Sequence, residues 1–280
     1  MARDTGFPHT DAEYDFLHAR RSAVLSRLAH RLRFEPDDVS MVLPYDEVVS
    51  ALGWRSERYV GVDVIEVDSV VGSVDRTGDF DRRFRPRSGR VRERWQRIAV
   101  AQRRGESMPP IDVYRIGDMH FVRDGHHRVS VAHAMRQTLI EAYVTEVKTR
   151  IPIGSVIRRR DLVVKDYERV LADRVPLPKA KRDTLASSDP WTYARIGEAV
   201  EAWGFRAMQD EQQFLDRTTV ARRWYDEEFT PVVTMMHEAD LIGRRSDSEA
   251  YLRVTTERYR LMRTHDWSQE VIDRLRDVLD

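Results

Sequence analysis

Five consecutive residues, Asp124-Gly125-His126-His127-Arg128, pack an acid, a glycine, two imidazoles and a guanidinium between a short apolar run and an apolar-periodic segment. A helix that starts straight after a glycine turn leaves its first backbone N–H groups unpaired, with the positive end of the helix dipole behind them. Such an end attracts anions. Gly125 permits a backbone conformation that a Cβ would resist. Arg128 can grip a phosphate through two parallel hydrogen bonds, and one of His126 and His127 can donate a third. Asp124 would then hold a Mg²⁺-bound water rather than the phosphate. The same residues also fit an ordinary Asp-Gly turn in which Asp124 caps the helix. A metal site on His126 and His127, assisted by His120 or His133, is the weaker geometry, because neighbours on a helix diverge by about 100°.

A second group lies upstream in "DRTGDFDRRFRPRSGR", residues 75–90. Nucleotide hydrolysis or phosphoryl transfer needs a carboxylate that holds metal or orients the attacking oxygen, and cations on the leaving charge. Asp75, Asp79 and Asp81 with Arg76, Arg82 and Arg83 supply both types. Glu66 is a further candidate base, and spacing does not rank it against Asp81. A charge-rich surface loop has the same composition.

The elements that must position these groups follow from the pattern. Between Asp11 and Arg33, Tyr14, Leu17, Val24, Leu25, Leu28 and Leu32 recur at helical spacing. Two readings stand, a peripheral helix packed on the core and a basic helix facing DNA or membrane. "YDEVVSALGW" reads as a short helix with Gly53 at its end. Residues 59–74 read as strand, 75–90 as loop, 91–105 as helix, 113–122 as a hairpin turning at Gly117-Asp118, 128–136 as helix and 139–147 as a last strand. From 190 on, long helices are expected at 192–208, 219–242 and 248–262, with a short one ending at Leu279. The domains expected are a helical segment at 1–55, a small mixed-sheet α+β domain at 56–149, a basic linker or helix at 150–188 and a helical region at 189–280.

Lys plus Arg equals Asp plus Glu, 47 each, so no global field would hold the chain on nucleic acid or an anionic membrane. A local patch is the alternative, and residues 150–182, rich in Arg and Lys, are the candidate DNA contact. No cysteine is present, which excludes disulfides, thiolate metal sites and a cysteine nucleophile. No apolar leader and no long apolar run stands out, so a soluble cytoplasmic protein without membrane contact is expected.

"VRDGHHRVSVA" resembles the signature turn of the ParB and sulfiredoxin-like superfamily, and "MPPIDVYRIGDMHF" resembles the strand pair that leads into it. "VDSVVGSVDRTGDFDRRF" is similar to the strand and loop upstream in one actinobacterial-type branch of ParB-like proteins, and "RRWYDEEFTPVV" and "SEAYLRV" to the helical region that accompanies it. The resemblance runs from about residue 40 to 265. It implies a turn that contacts nucleotide phosphates: CTP in ParB-like clamps, ATP in sulfiredoxins, ADP in a free-serine kinase. Carried over, it makes Gly125, His126, His127 and Arg128, with Arg76 nearby, the cofactor-binding residues for ATP, ADP or CTP with Mg²⁺. Sulfiredoxin chemistry does not carry over, because it needs a cysteine in this turn. Chromosome partition is in doubt as well, because no helix-turn-helix spacing follows the domain. Two functions stay open. One is a Mg²⁺-dependent nucleotide hydrolase or small-molecule kinase using Asp124, Asp81 or Glu66. The other is a nucleotide-gated module that docks on itself, on a second copy as a homodimer, or on DNA.

Overall fold

The β-branched run at 59–74 divides into two strands that part company. Strand β2 (Trp54–Glu66) ends at a 3-10 turn, Val67–Ser69, and β3 (Val70–Ser73) leaves in another direction. With β1 (Leu43–Pro44), β4 (Ile111–Ile116), β5 (Met119–Asp124) and β6 (Leu139–Thr149) they form one six-stranded sheet in the order β1-β3-β5-β4-β6-β2. The sheet is mixed: β1 with β3, β3 with β5 and β4 with β6 run parallel, whereas β4 with β5 and β2 with β6 run antiparallel. This is the mixed α+β architecture expected. The computed structural model describes residues 4–34, 41–154, 158–263, 265, 267–268, 271 and 274. It divides into two units, Met1–Leu162 and Val163–Asp280.

In the first unit, helices α1 (Pro8–Leu32), α3 (Arg92–Arg103) and α4 (His126–Ala134) cover one face of the sheet, and α2 (Tyr45–Leu52) lies after β1. Period-2 alternation sends Ile111 and Val113 of β4, Val122 of β5, and Ala142 and Val144 of β6 into this core. They meet Phe16 of α1, Trp95 of α3 and Val129 of α4, all fully buried. α1 is rotated relative to the expected packing. Ala12, Phe16, Ala19 and Ala23 face inward, while Val24, Leu25, Leu28 and Leu32 are each more than half exposed. Phe16 set edge-on against Trp95 at 5.5 Å, and the buried ion pair of Asp15 with Arg103, fix that rotation. Small residues let α1 come close, which the count of large apolar side chains does not register.

The second unit is helical: α5 (Asp161–Arg174) begins at the division, followed by α6 (Lys179–Asp183), α7 (Pro190–Glu211), α8 (Arg217–Trp224), α9 (Thr230–Glu238) and α10 (Asp247–Met262). A π-helical turn, Tyr225–Phe229, joins α8 to α9. Local signals set the ends. Asp189 caps α7 through the Trp191 N–H, Asp216 caps α8, and Ser246 with Glu249 forms a capping box on α10. Trp224 is the centre of the core, with Phe229 at 5.1 Å and Tyr251 at 5.8 Å. The short helix expected to end at Leu279 lies outside the described residues. Among the described residues no helix is long and apolar enough to cross a membrane.

Candidate anion-binding turn

β5 delivers the chain to Gly125, which takes the left-handed conformation (φ 105°) and stands at the N-cap of α4. Any Cβ there would lie 2.5 Å from Ile111 Cγ2, so both the dihedral and the close approach of β4 require glycine. No side chain caps the helix, so the backbone N–H groups of His126, His127 and Arg128 form its open, positive end. The helix starts two residues earlier than its periodicity indicates, which puts both histidines on its first turn.

Both imidazoles are buried at 5 % exposure. His126 Nε2 shares a hydrogen bond of 2.7 Å with Ser73 Oγ at the end of β3, and Ser73 Oγ also accepts from the Arg76 N–H. Phe80 stacks on His126 and sets its edge against His127. Burial pushes His126 down to about 4, helped by the Arg76 cation and opposed by Asp124, Asp75 and Asp79. Burial likewise pushes His127 to about 4, with Arg94, Arg76 and His126 adding to the effect. Both rings are therefore neutral near pH 7, each with one N–H to donate. His127 Nδ1 is buried with no hydrogen-bond partner among the described residues.

The expected site residues separate into those the fold gathers and those it employs elsewhere. Gly125, His126, His127 and Arg76 are together, with Asp75, Asp79 and Asp124 close enough to act on His126. Arg76 also pairs loosely with Asp79 at 3.6 Å. Arg128 turns away from the helix end. Its Nη1 donates to the carbonyl oxygens of Pro109 and Pro110, and its Nη2 donates to Asp124 Oδ2 at 2.7 Å. Arg128 thus offers the turn its backbone N–H, not its guanidinium, and it occupies the carboxylate of Asp124 instead of leaving it for a cation. One reason is local, since i and i+4 are neighbours on a helix; the other is the fold, which brings the Pro109 and Pro110 carbonyls to the guanidinium.

Asp81 does not join the site. Its buried carboxylate accepts from the N–H groups of Arg83 and Arg85 and from the Arg85 guanidinium, at 2.7–3.0 Å, so it staples its own loop. Glu66 is exposed at the end of β2, next to Val67, whose N–H donates to the Thr138 carbonyl beyond the far end of α4. Neither carboxylate is placed as a base for chemistry at Gly125. Arg94 of α3 and Ser73 are the residues that spacing did not single out; both belong to the turn only through the tertiary fold. Among the described residues no three His, Asp or Glu side chains converge to hold a metal ion.

Comparison with known proteins finds no matching family model, no similar curated protein and no similar solved structure.

In the basic stretch expected to face DNA, six cations are paired with acids from within the stretch and from outside it. Arg159 forks onto Glu47, Lys165 pairs with Glu168, Arg169 with Asp166, Arg174 with Glu201, Lys179 with Asp183 and Lys181 with Asp226. Residues 155–157 of that stretch lie outside the described residues.

Proposed function

We propose that this protein is a nucleotide-binding module that holds a phosphate chain at the N-terminus of α4. The observation that carries the reading is the pair of neutral, buried imidazoles at an uncapped helix end, with the Arg76 and Arg94 cations acting on them. Phosphate oxygens would take the three open N–H groups and an imidazole N–H, and Arg76 and Arg94 would balance their charge. The resemblance to the ParB and sulfiredoxin-like superfamily supports the same assignment. Asp75 and Asp79 lie near the turn, which suits a phosphate chain that brings Mg²⁺ with it. Binding is favoured over turnover because, of the three candidate bases, Asp81 is engaged by Arg85, Asp124 by Arg128, and Glu66 stands at the end of β2.

Calorimetric titration of the whole chain with ATP, ADP, CTP and GTP plus Mg²⁺ tests this. One nucleotide is expected to bind, and Arg76→Ala and His127→Ala each to weaken it about tenfold or more, the loss typical of a charge-assisted contact. No heat with any of the four would reduce the turn to a structural element. Release of inorganic phosphate from the bound nucleotide would instead make the protein an enzyme.

A further inference from the structure

β2 is the last strand of the sheet, and its outer side pairs with no strand among the described residues. It is 13 residues long, against about five or six for an ordinary strand. A free edge of that length offers a row of unpaired N–H and C=O groups, which proteins blunt with proline, charged side chains such as lysine, bulges or a covering element. β2 contains neither proline nor lysine. Large apolar side chains are also exposed on it: Trp54 at 54 %, Tyr59 at 64 %, Val62 at 59 % and Val64 at 55 %. Val62 and Val64 share their face with Tyr143 and Leu139 of β6, which are exposed too, on the side of the sheet away from α1, α3 and α4.

The charges on β2 identify the strand that would fit. A bulge leaves Val60 unpaired with β6, so the alternation of faces reverses there. Tyr59 and Val62 therefore point to one face, as their partners Thr145 and Tyr143 show, and Arg58 and Asp63 to the other, as Glu146 and Ala142 show. Let a second β2 run antiparallel along the first about a two-fold axis between Val60 and Gly61. Arg58 then faces Asp63 of the other copy twice over, Tyr59 faces Val62, Glu57 faces Val64, and Arg55 comes beside Glu66. The facing pairs from Glu57 to Val64 lie on a common face, as the pleat demands. Sliding the axis one residue toward the C-terminus would set Glu57 against Glu66. Within one chain Arg58 already pairs with Glu146 at 3.1 Å and Asp63 with Arg115 at 3.7 Å, with Arg58 and Asp63 themselves exposed, so the cross-copy pairs would join an existing ladder.

We infer that β2 is a self-complementary interface, and that two copies of this chain pair through it to make one continuous sheet. The surface is separate from the turn at Gly125, so the inference does not depend on the nucleotide reading. Sedimentation velocity on the whole chain at about 50 µM, where even a modest symmetric interface is populated, should give a dimer. Arg58→Glu and Asp63→Arg should each weaken that dimer at least about tenfold through facing like charges, and the double exchange Arg58→Glu/Asp63→Arg should bring it back to within about threefold. Unchanged thermal unfolding of the variants would show that the fold is intact. Val62→Lys tests the apolar face in the same way. A chain that stays monomeric overturns the inference. So does a dimer indifferent to these substitutions, which would mean another surface, and so does a double exchange no better than its parents. Protection of the outward β2 amides from hydrogen exchange in a monomer would assign the edge to another occupant and would equally overturn it.

Discussion

Two buried polar centres, one in each unit, solve the same desolvation problem in opposite ways. At the turn in the first unit, His126 and His127 are buried without a carboxylate partner and respond by staying neutral. In the second unit, Glu228 and Arg258 are buried as a pair 3.8 Å apart; Trp267 Nε1 donates to the same carboxylate at 3.1 Å, and the Arg258 guanidinium lies 4.0 Å over the Trp267 ring. In the paired centre the charge of each member is balanced by the other. The unpaired centre carries no charge of its own, and the Arg76 and Arg94 cations act on it from nearby. The contrast separates a buried charge held by its partner from a group that gives up its charge on burial.

Removing Glu228 is the harshest way to test the paired centre. Glu228→Ala would remove the buried carboxylate that faces Arg258 and accepts from Trp267 Nε1, and a loss of about 3–5 kcal/mol is expected in the denaturant transition of the second unit. A loss under about 1 kcal/mol would mean that water already serves Arg258. At the unpaired centre the corresponding change is to the backbone. Gly125→Ala combines a left-handed dihedral with the overlap on Ile111, for about 2–4 kcal/mol in the first unit's unfolding. It should also abolish nucleotide binding, because α4 could not start where it does.

Acid distinguishes the centres next. His120, His126 and His127 are all pushed down to about 4 from an ordinary 6.5, chiefly by burial. Between those values the unfolded chain binds the proton and the folded one does not, so stability is complete above about pH 6.5 and declines as pH falls toward 4. From pH 7 to pH 5 each ring should account for about 1–2 kcal/mol, read as a shift in the first unit's urea midpoint at each pH. A first unit equally stable at pH 5 and 7 would show that these rings are hydrated after all.

How much of this was legible in the residues depends on range. Gly125 and the helix behind it follow from local chemistry, since a left-handed turn and an uncapped helix end are properties of a few adjacent residues. The α+β class and the main helices followed from periodicity in the same way. Failures began where a choice was made across the fold. The run at 59–74 is uniformly β-branched, and nothing local says that Val67–Ser69 will break it and send its halves to distant positions in the sheet. Arg128 has the residue type that binds phosphate, but the carbonyls of Pro109 and Pro110 reached it first. Asp81 looked catalytic by composition and proves to hold Arg85. Arg94 carried no signal at all, because its nearness to His127 exists only once α3 packs beside α4.

The smallest effect is the most discriminating for the unpaired centre. Burial is the leading cause of the depressed His127 titration, and the Arg94 cation comes second. Arg94 is exposed, and a charge acting through solvent is strongly screened, so Arg94→Gln should raise the His127 titration midpoint by only a fraction of a unit, measured by NMR on the ring protons. The ring would then stay neutral at pH 7 in the variant while nucleotide affinity falls, because the lost charge acts on the ligand more than on the imidazole. A midpoint that returns to about 6.5 would mean that arginine, not burial, keeps the ring neutral. The turn would then resemble the Glu228–Arg258 centre, a set of charges that hold one another, and the proposed anion site would lose its physical basis.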